Sequence, residues 1–392
     1  MPVNESAVLR EQLIETLRQR GALHDEAVAA AFRAVPRERF LPGLPLEQVY
    51  RDDAIATKRI EGVAVSSSSQ PAIMAVMLEQ LDVRPGMQVL EIGAGTGYNA
   101  ALLQHLVGER GRVVTVDIDP EVAGWARERL DAAGYREVAV ICADGADGYP
   151  GVAPYDRIEV TVGVADIAPA WVEQLAPGGV LVAPLWLNTA QISLALRESD
   201  GRLRSRSLAP CGFMRIRGRL AGADQFVGLG PGLTAATGRA APSLARLRDL
   251  LSRPPRRERW EEVGTDTFSF AFYAALWSDR AVGIGAEPWT EAGFVGQRFG
   301  YVDEAEPSLC LLPLTFPGDG GEDTALVYGG DVARDRLRAA LARWHALGRP
   351  TLQELVVTVS PLAAAAPPAP GEVAFDTRWW RLTFSRDAGP AI

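Results

Sequence analysis

The chain holds one lysine, three histidines and three cysteines among 392 residues. Each scarcity excludes something. Cys142, Cys211 and Cys310 lie far apart and form no CxxC pair, so neither a zinc site nor a disulfide framework is expected, and buried free thiols are the plainer reading. Basic charge is also short, with a formal net charge of −9. Proteins that bind nucleic acid usually carry a basic field, because phosphate contacts supply most of their affinity. The clusters Arg202–Arg206, Arg215–Arg219 and Arg253–Arg259 therefore read as solvated faces, and no nucleic-acid partner is expected. The lone Lys58, among abundant arginine and alanine, looks like coding bias. Long apolar runs are missing too. Val180–Leu187 is among the longest and suits a strand, not a membrane-spanning helix of about 20 residues. The first residues, Met1-Pro2-Val3-Asn4-Glu5, show no basic stretch leading into an apolar one. We expect no signal peptide, no membrane partner and a cytoplasmic location.

What is present has order. Leu9, Leu13 and Leu17 recur at helical spacing, and a second helix follows a turn at Gly21, so residues 6–34 read as two helices. Pro36 to Pro42 breaks the pattern, and a loop-rich stretch runs on to the serine run Ser66–Ser69. Pro71–Leu81 reads as a helix with proline in its first turn. From Met87 strands alternate with helices. The strands are Gln88–Ile92, Arg112–Val116, Val138–Cys142, Arg157–Val162 and Gly179–Pro184. The helices are Tyr98–Val107, Pro120–Ala133 and Ile167–Leu175. This alternation predicts an α/β fold with a parallel sheet covered on both faces, doubly wound and Rossmann-like. Gln191–Arg197 and Leu203–Ala209 read as a closing antiparallel pair. Residues 228–242, rich in Gly, Ala, Thr and Pro, read as a linker. Beyond it we expect a helix near Leu244–Leu251, strands near Phe268–Trp277 and Leu309–Phe316, and a helix at Asp335–Leu347. Strands at Leu352–Val359 and Arg378–Phe384 follow, with an Ala/Pro-rich loop at 361–371 between them. The expected division is a catalytic domain over 1–221, with N-terminal helices to residue 70 and a cofactor-binding core from 71, and a C-terminal α+β extension over 222–392.

The chemistry concentrates at three strand ends. The first is Val89-Leu90-Glu91-Ile92-Gly93-Ala94-Gly95-Thr96-Gly97-Tyr98-Asn99. Here a strand enters a glycine-rich turn that opens a helix. Gly93 and Gly95 let the backbone approach a ligand where a Cβ would clash, and the helix start offers free N–H groups. The spacing is GxGxG, not the GxGxxG of a dinucleotide site, and Glu91 precedes it. A carboxylate there would repel a pyrophosphate and suits the cationic amino-acid portion of S-adenosylmethionine. The second is Asp117-Ile118, about twenty residues on, where an acid can accept two hydrogen bonds from a ribose. The third is Asp144-Gly145, with Asp144 placed to accept from an adenine amino group and Ile118 as an apolar wall. Thr161, after another strand, either lines the pocket or makes a turn. Any one of these pieces is a common structural turn or cap. The three in order at successive strand ends point to S-adenosylmethionine, with S-adenosyl-L-homocysteine as product and no metal.

These motifs and their neighbours resemble the protein-L-isoaspartate O-methyltransferase family. The resemblance spans about Leu9 to Gly218. It rests on Val35-Pro36-Arg37-Glu38-Arg39-Phe40, Tyr50-Arg51-Asp52, Ser69-Gln70-Pro71 and the glycine loop. It continues through Ala153-Pro154-Tyr155-Asp156-Arg157-Ile158 and Gln174-Leu175-Ala176-Pro177-Gly178-Gly179. It implies that Ser69 is the active-site serine contacting the substrate carboxylate, with Ser68, Gln70, Pro71 and Lys58 as further substrate-binding residues. Ser69 also reads as a helix N-cap. A carboxylate is ionised and nucleophilic near pH 7, so no strong base is needed, and His24, His105 and His345 stand away from the motifs. Two departures stand out. Where the family has a glycine-rich stretch before the serine, this chain has Thr57 to Ser69, with Lys58 and Arg59 either meeting an acidic substrate or forming a solvated loop. It also adds roughly 170 residues beyond Ala221. The extension and Cys211-Gly212-Phe213-Met214-Arg215 resemble long members found with ribosomally made, modified peptides such as lanthipeptides. That resemblance implies methylation of an Asp carboxylate in a constrained precursor peptide, passing through a succinimide to isoaspartate. The alternative is repair of isoaspartyl residues in damaged proteins. A catalytically silent peptide binder and a tRNA adenine methyltransferase are weaker readings, opposed by the intact acids with Ser69 and by the acidic charge.

Overall fold

Leu13, Ile14 and Leu17 share one side of helix α1 (Glu5–Gln19) and are buried together, as the leucine spacing predicts. The computed structural model of the chain describes residues 5–199, 202–222, 226–237, 243–264, 266–287, 294–315 and 323–386. Helix α2 (Glu26–Ala34) starts at Asp25, whose carboxylate accepts from the Ala27 and Val28 N–H groups. After the short α3 (Leu46–Val49) comes a hairpin of β1 (Ile55–Ile60) and β2 (Val63–Ser68). It turns at Glu61 and Gly62, both at positive φ, as a tight hairpin turn requires. The serine run is thus mostly strand rather than loop, because pairing with β1 satisfies its backbone. Helix α4 occupies Pro71–Leu81, as predicted. Its N-cap is Gln70, without a side-chain bond of its own. Asp52 supplies the cap from a distance, accepting from Ala72 N at 2.8 Å, so Ser69 does not cap the helix.

The alternating segment folds as the periodicity predicts. Its elements are β3 (Gln88–Ile92), α5 (Tyr98–Val107), β4 (Arg112–Asp117), α6 (Pro120–Ala133) and β5 (Ala139–Cys142), then β6 (Tyr155–Val160), α7 (Pro169–Gln174) and β7 (Leu175–Leu187). Strand β3 pairs in parallel with β4 on one side and β6 on the other. The chain therefore reverses direction across the sheet at β3, and such a switch point opens a crevice at the carboxyl ends of the strands. Strands β8 (Ala190–Ser199) and β9 (Arg202–Pro210) close it antiparallel, as expected. One face of the sheet carries Val89, Val113 and Val182 against the N-terminal helices and α5. The other carries Leu90, Val114 and Ile158 against Trp171 and the C-terminal part. Among the described residues no helix is long and apolar enough to cross a membrane.

Residues read as a linker instead build a hairpin, β10 (Phe226–Gly230) with β11 (Leu233–Thr237). Residues 238–242 of that segment lie outside the described ones. After α8 (Leu244–Leu251) and β12 (Arg256–Arg259), the stretch expected to be a strand at Phe268–Trp277 is helix α9 (Thr267–Trp277). Thr267 through Ala275 are buried without a break. A helix enclosed on all sides shows no 3.6-residue periodicity, and a continuous apolar run cannot be told from a buried strand. Then follow β13 (Ala281–Ala286), β14 (Gly296–Asp303), β15 (Ser308–Pro313), β16 (Thr324–Gly329) and α10 (Val332–Ala346). Phe316, the last residue of one expected strand, lies outside the described residues. Strands β10 to β16 form a seven-stranded antiparallel sheet in the order β10-β11-β13-β14-β15-β16-β12. The last strands, β17 (Leu355–Pro361), β18 (Val373–Asp376) and β19 (Trp380–Arg386), return to the first sheet. There β17 pairs with β9, giving ten strands in the order β18-β19-β17-β9-β8-β7-β6-β3-β4-β5. The two parts of the chain thus share a sheet, and Phe270, Phe272, Trp344 and Phe384 belong to the same core cluster as Leu181 and Ile158.

Candidate active site

A cavity of about 1250 Å³ opens at the carboxyl ends of β3, β4 and β6. The glycine turn forms its floor. Gly93 has φ +108°, and a Cβ there would sit 2.6 Å from Thr161 Oγ1. Only glycine fits this approach. Thr161 in turn props the turn, with its hydroxyl 3.0 Å from the Ile92 carbonyl and 2.8 Å from that of Gly93. Ala94, Gly95, Thr96 and Asn99 line the cavity with it. Gly97 does not. It starts α5 at φ +85° and faces Leu130, whose Cγ would lie 3.1 Å from an added Cβ.

Below the turn lies an acidic floor. Glu91 is fully buried on β3, where Thr115 donates to it and Asn99 Nδ2 donates to its Oε1 at 2.8 Å. Burial pushes its carboxyl up to about 8, against those two hydrogen bonds. Its register partner on β6 is Glu159, which the sequence reading passed over. Asn99 Nδ2 donates to Glu159 as well, at 2.8 Å, and burial pushes this carboxyl up to about 7. A signal was available: an acid between two apolar residues, Ile158 and Val160, in the buried half of the strand Tyr155–Val160.

Asp117 ends β4 as expected and accepts from the N–H groups of Gly95 at 3.2 Å and Asp119 at 3.0 Å. Burial still holds its carboxyl above the usual range. Asp117 and Ile118 line the cavity, and so does Gly145, but Asp144 does not. Asp144 Oδ1 accepts from Ala146 N, and its Oδ2 accepts from Arg219 N, both at 2.9 Å. Burial pushes its carboxyl up, but these N–H groups outweigh it and hold it low. A Cβ on Gly218, at φ +84°, would lie 2.6 Å from Asp144 Oδ2 and 2.7 Å from Ile118 Cδ1. The segment around Gly218 thus covers the place expected for the adenine. The sequence could not foresee this, because Gly218 is remote from Asp144 along the chain.

A further wall, meeting the glycine turn where Ser67 O would lie 3.2 Å from a Cβ on Gly95, is built from Ser66, Ser67, Ser68, Ser69 and Gln70. Arg37 fixes this wall. Its guanidinium is fully buried and donates to the carbonyls of Val49 at 2.8 Å and Ser69 at 2.9 Å, and to Ser68 Oγ at 3.3 Å. The motif that carried Arg37 was recognised, but its role was not. Pro71 is buried in the first turn of α4 and does not reach the cavity. Lys58 also departs from its expected place among the substrate contacts. Its ammonium pairs with Asp119 at 2.8 Å and Glu121 at 2.7 Å, on the first turn of α6. Two carboxylates at hydrogen-bond distance hold the ammonium, against the positive end of the helix dipole, where a solvated loop position would leave it free.

The strap 210–217 closes one side. Gly163 N donates to Met214 O at 2.7 Å, and Ile216 N donates to Gly163 O at 2.8 Å. Cys211, Phe213 and Arg215 line the cavity, and so do Phe268 and Ala271 of α9 and Gln297 of β14. The C-terminal part therefore contributes directly to the wall. The glycine turn over the acidic floor, the ribose-side acid Asp117, and Ile118 with Gly145 beyond it together fit the amino-acid, ribose and adenine portions of an S-adenosyl cofactor. Among the described residues no group of His, Cys, Asp or Glu could hold a metal.

Known proteins agree with this geometry. The model of the family described as protein-L-isoaspartate(D-aspartate) O-methyltransferase matches residues 8–221. The protein-L-isoaspartate O-methyltransferase of Methanopyrus kandleri is 41% identical over 211 residues, 53% of this chain and 91% of its own. That of Thermotoga maritima is 39% identical over 195 residues, 49% of this chain but only 61% of its own, so that relative too extends beyond the match. A solved protein-L-isoaspartate O-methyltransferase superposes with a TM-score of 0.52 at 27% identity. It covers 89% of this chain and 96% of its own. The C-terminal extension, read from sequence as a departure toward peptide tailoring, is thus largely matched within a protein of that name. With its glycine turn, its strand-end acids and more than half its length matched, the chain belongs to the protein-L-isoaspartate(D-aspartate) O-methyltransferase family and is an S-adenosylmethionine-dependent protein carboxyl O-methyltransferase.

Proposed function

We propose that the chain esterifies the free carboxylate of L-isoaspartyl residues in proteins or peptides. The observation that carries this reading is Ser69, held by buried Arg37 on the cavity wall that the glycine turn meets at Gly95 and Ser67. S-adenosylmethionine supplies a methyl group already activated on its sulfonium. The work left to the chain is placement. The Ser69 hydroxyl donates to one oxygen of the substrate carboxylate and leaves the other free to attack. Glu91, Asp117 and the glycine turn hold the cofactor. The strap and α9 keep water from the reacting pair. Alignment of this kind, in a site that excludes water, supplies much of the rate in a reaction that needs no base. His105 is exposed on α5 and does not line the cavity, in keeping with a base-free transfer.

Methylation of an Asp in a constrained precursor peptide would use the same placement. Its two supports have weakened: the extension also occurs in a solved relative, and Lys58 is taken up by Asp119 and Glu121. The test is mass spectrometry after incubation with S-adenosylmethionine and two peptides, one carrying isoAsp and one a cyclised Asp. Gain of a methyl group on the isoAsp peptide is expected. Methylation of the Asp peptide alone would transfer the reading to tailoring.

A further inference from the structure

Two carboxylates, not one, sit on the cavity floor. Glu91 on β3 and Glu159 on β6 are directly opposite in the parallel register, and both are essentially inaccessible to solvent. One amide joins them, with Asn99 Nδ2 2.8 Å from each acid. The Asn99 Oδ1, also buried, has no hydrogen-bond partner. Around the pair the structure places Thr115 from β4, Asn99 from α5, Val182 from β7 beside Glu159, and Asp117 at the strand end. None of these is a cation, and Arg217, which lines the same cavity, stands 4.0 Å from Asp117 and forms no ion pair with either glutamate. A buried acidic pair without a cation is costly to ionise, so it stands ready for a positive charge brought from outside.

We propose that Glu159 is a second carboxylate for the cationic amino-acid end of the cofactor, and that it raises the preference for S-adenosylmethionine over S-adenosylhomocysteine. This rests on the reading that the amino-acid end lies over the glycine turn. The charge difference explains the selectivity. The substrate cofactor carries a sulfonium, an ammonium and a carboxylate, which leaves one net positive charge, and the product, having lost the sulfonium charge, is a neutral zwitterion. A doubly acidic floor favours the more positive molecule and weakens its hold once the methyl has left. Glu159 therefore acts as a positioning and selectivity residue, and it favours release of product.

The site also couples binding to protons. Burial raises both carboxyls toward neutrality, so near pH 7 the free pair retains protons. A bound cation favours the ionised form and drives protons off. Affinity for S-adenosylmethionine then rises as pH increases from 6 to 8, because fewer protons must leave.

Calorimetry of the whole chain tests this, titrating S-adenosylmethionine and S-adenosylhomocysteine in buffers of different ionisation heat at pH 7. The wild type is expected to release protons on binding S-adenosylmethionine and to release fewer with S-adenosylhomocysteine. Glu159→Gln keeps the size and the acceptor for Asn99. It is expected to cut the proton release and to lower the preference between the two ligands roughly tenfold. Equal proton release and equal preference in wild type and Glu159→Gln would overturn the role of Glu159 while leaving the cofactor site standing. Failure of the wild type to bind S-adenosylmethionine would remove the site and the proposal with it. The wild-type proton count needs no variant, so a folding defect in Glu159→Gln cannot hide the answer: absence of release by the wild type also overturns the proposal.

Discussion

Lys58 Nζ lies 2.8 Å from both carboxylate oxygens of Asp119, and this pair ties the β1–β2 hairpin to the first turn of α6. Burial pushes the Asp119 carboxyl up, but Lys58 and Arg217 outweigh it and bring it down to about 2. A depressed acid stabilises the fold fully above its unfolded value of about 4 and loses that contribution as pH falls through its folded value. The tie is therefore expected to hold at neutral pH and to fail between about pH 4 and pH 2. At neutral pH, Lys58→Ala should speed hydrogen exchange in residues 55–68 and raise KM for both substrates more than it lowers kcat. If Lys58 instead met an acidic substrate, the variant would shift only the peptide KM and leave exchange unchanged.

Ser69→Ala should lower kcat roughly tenfold to a hundredfold while the Kd for S-adenosylmethionine stays nearly constant. Asp117→Ala should do the reverse, weakening cofactor binding by about 2 kcal/mol before it affects turnover at saturation. Paired steady-state kinetics and calorimetry separate the two. Unchanged turnover in Ser69→Ala would take the serine out of the reaction.

Arg37 holds carbonyls on both sides of the active-site wall while fully buried. In Arg37→Met the chain keeps bulk but loses every donor. Several buried carbonyls are orphaned, and a loss of at least about 3 kcal/mol is expected in denaturant unfolding. A loss below about 1 kcal/mol would mean that water replaces the guanidinium.

A methyl group at Gly218 collides with both Asp144 and Ile118, at a positive φ that L-residues avoid. Gly218→Ala should therefore weaken S-adenosylmethionine roughly tenfold, through strain of about 1–3 kcal/mol at the adenine end. Cofactor affinity equal to wild type would show that the strap moves aside without cost.

Shortening the chain to residues 1–222 removes β17 from the edge of β9 and uncovers the apolar face that α9 packs. The truncated chain is expected to be insoluble or loosely packed, with exposed apolar surface read by dye binding. Cooperative unfolding of 1–222 would instead establish the family-matched region as an independent folding unit.

Much of this was legible in the sequence where local rules decide. Pro71–Leu81 and Pro120–Ala133 form the predicted helices with the same limits, because proline at the start and the residue pattern agree. The glycine turn and Asp117 were legible for the same reason, being short motifs with a local mechanism. What escaped was decided at long range. Helix α9 hides its period by being buried on every side. Lys58 is claimed by an acid 61 positions away, and Asp144 by a backbone N–H 75 positions away. Glu159 matters only because its register partner is another buried acid.

The pairing of β9 with β17 has a consequence during synthesis. Val357 N donates to Ser205 Oγ across 152 positions of sequence. At the usual pace of a ribosome, about 5–20 residues per second, the neighbour of β9 emerges roughly 8–30 s after β9 itself. Throughout that interval the sheet presents an open edge beside an uncovered apolar face, the combination that recruits other nascent chains. The catalytic half therefore waits for the far end of its own chain, and its yield in the cell depends on whatever shields that edge in the meantime.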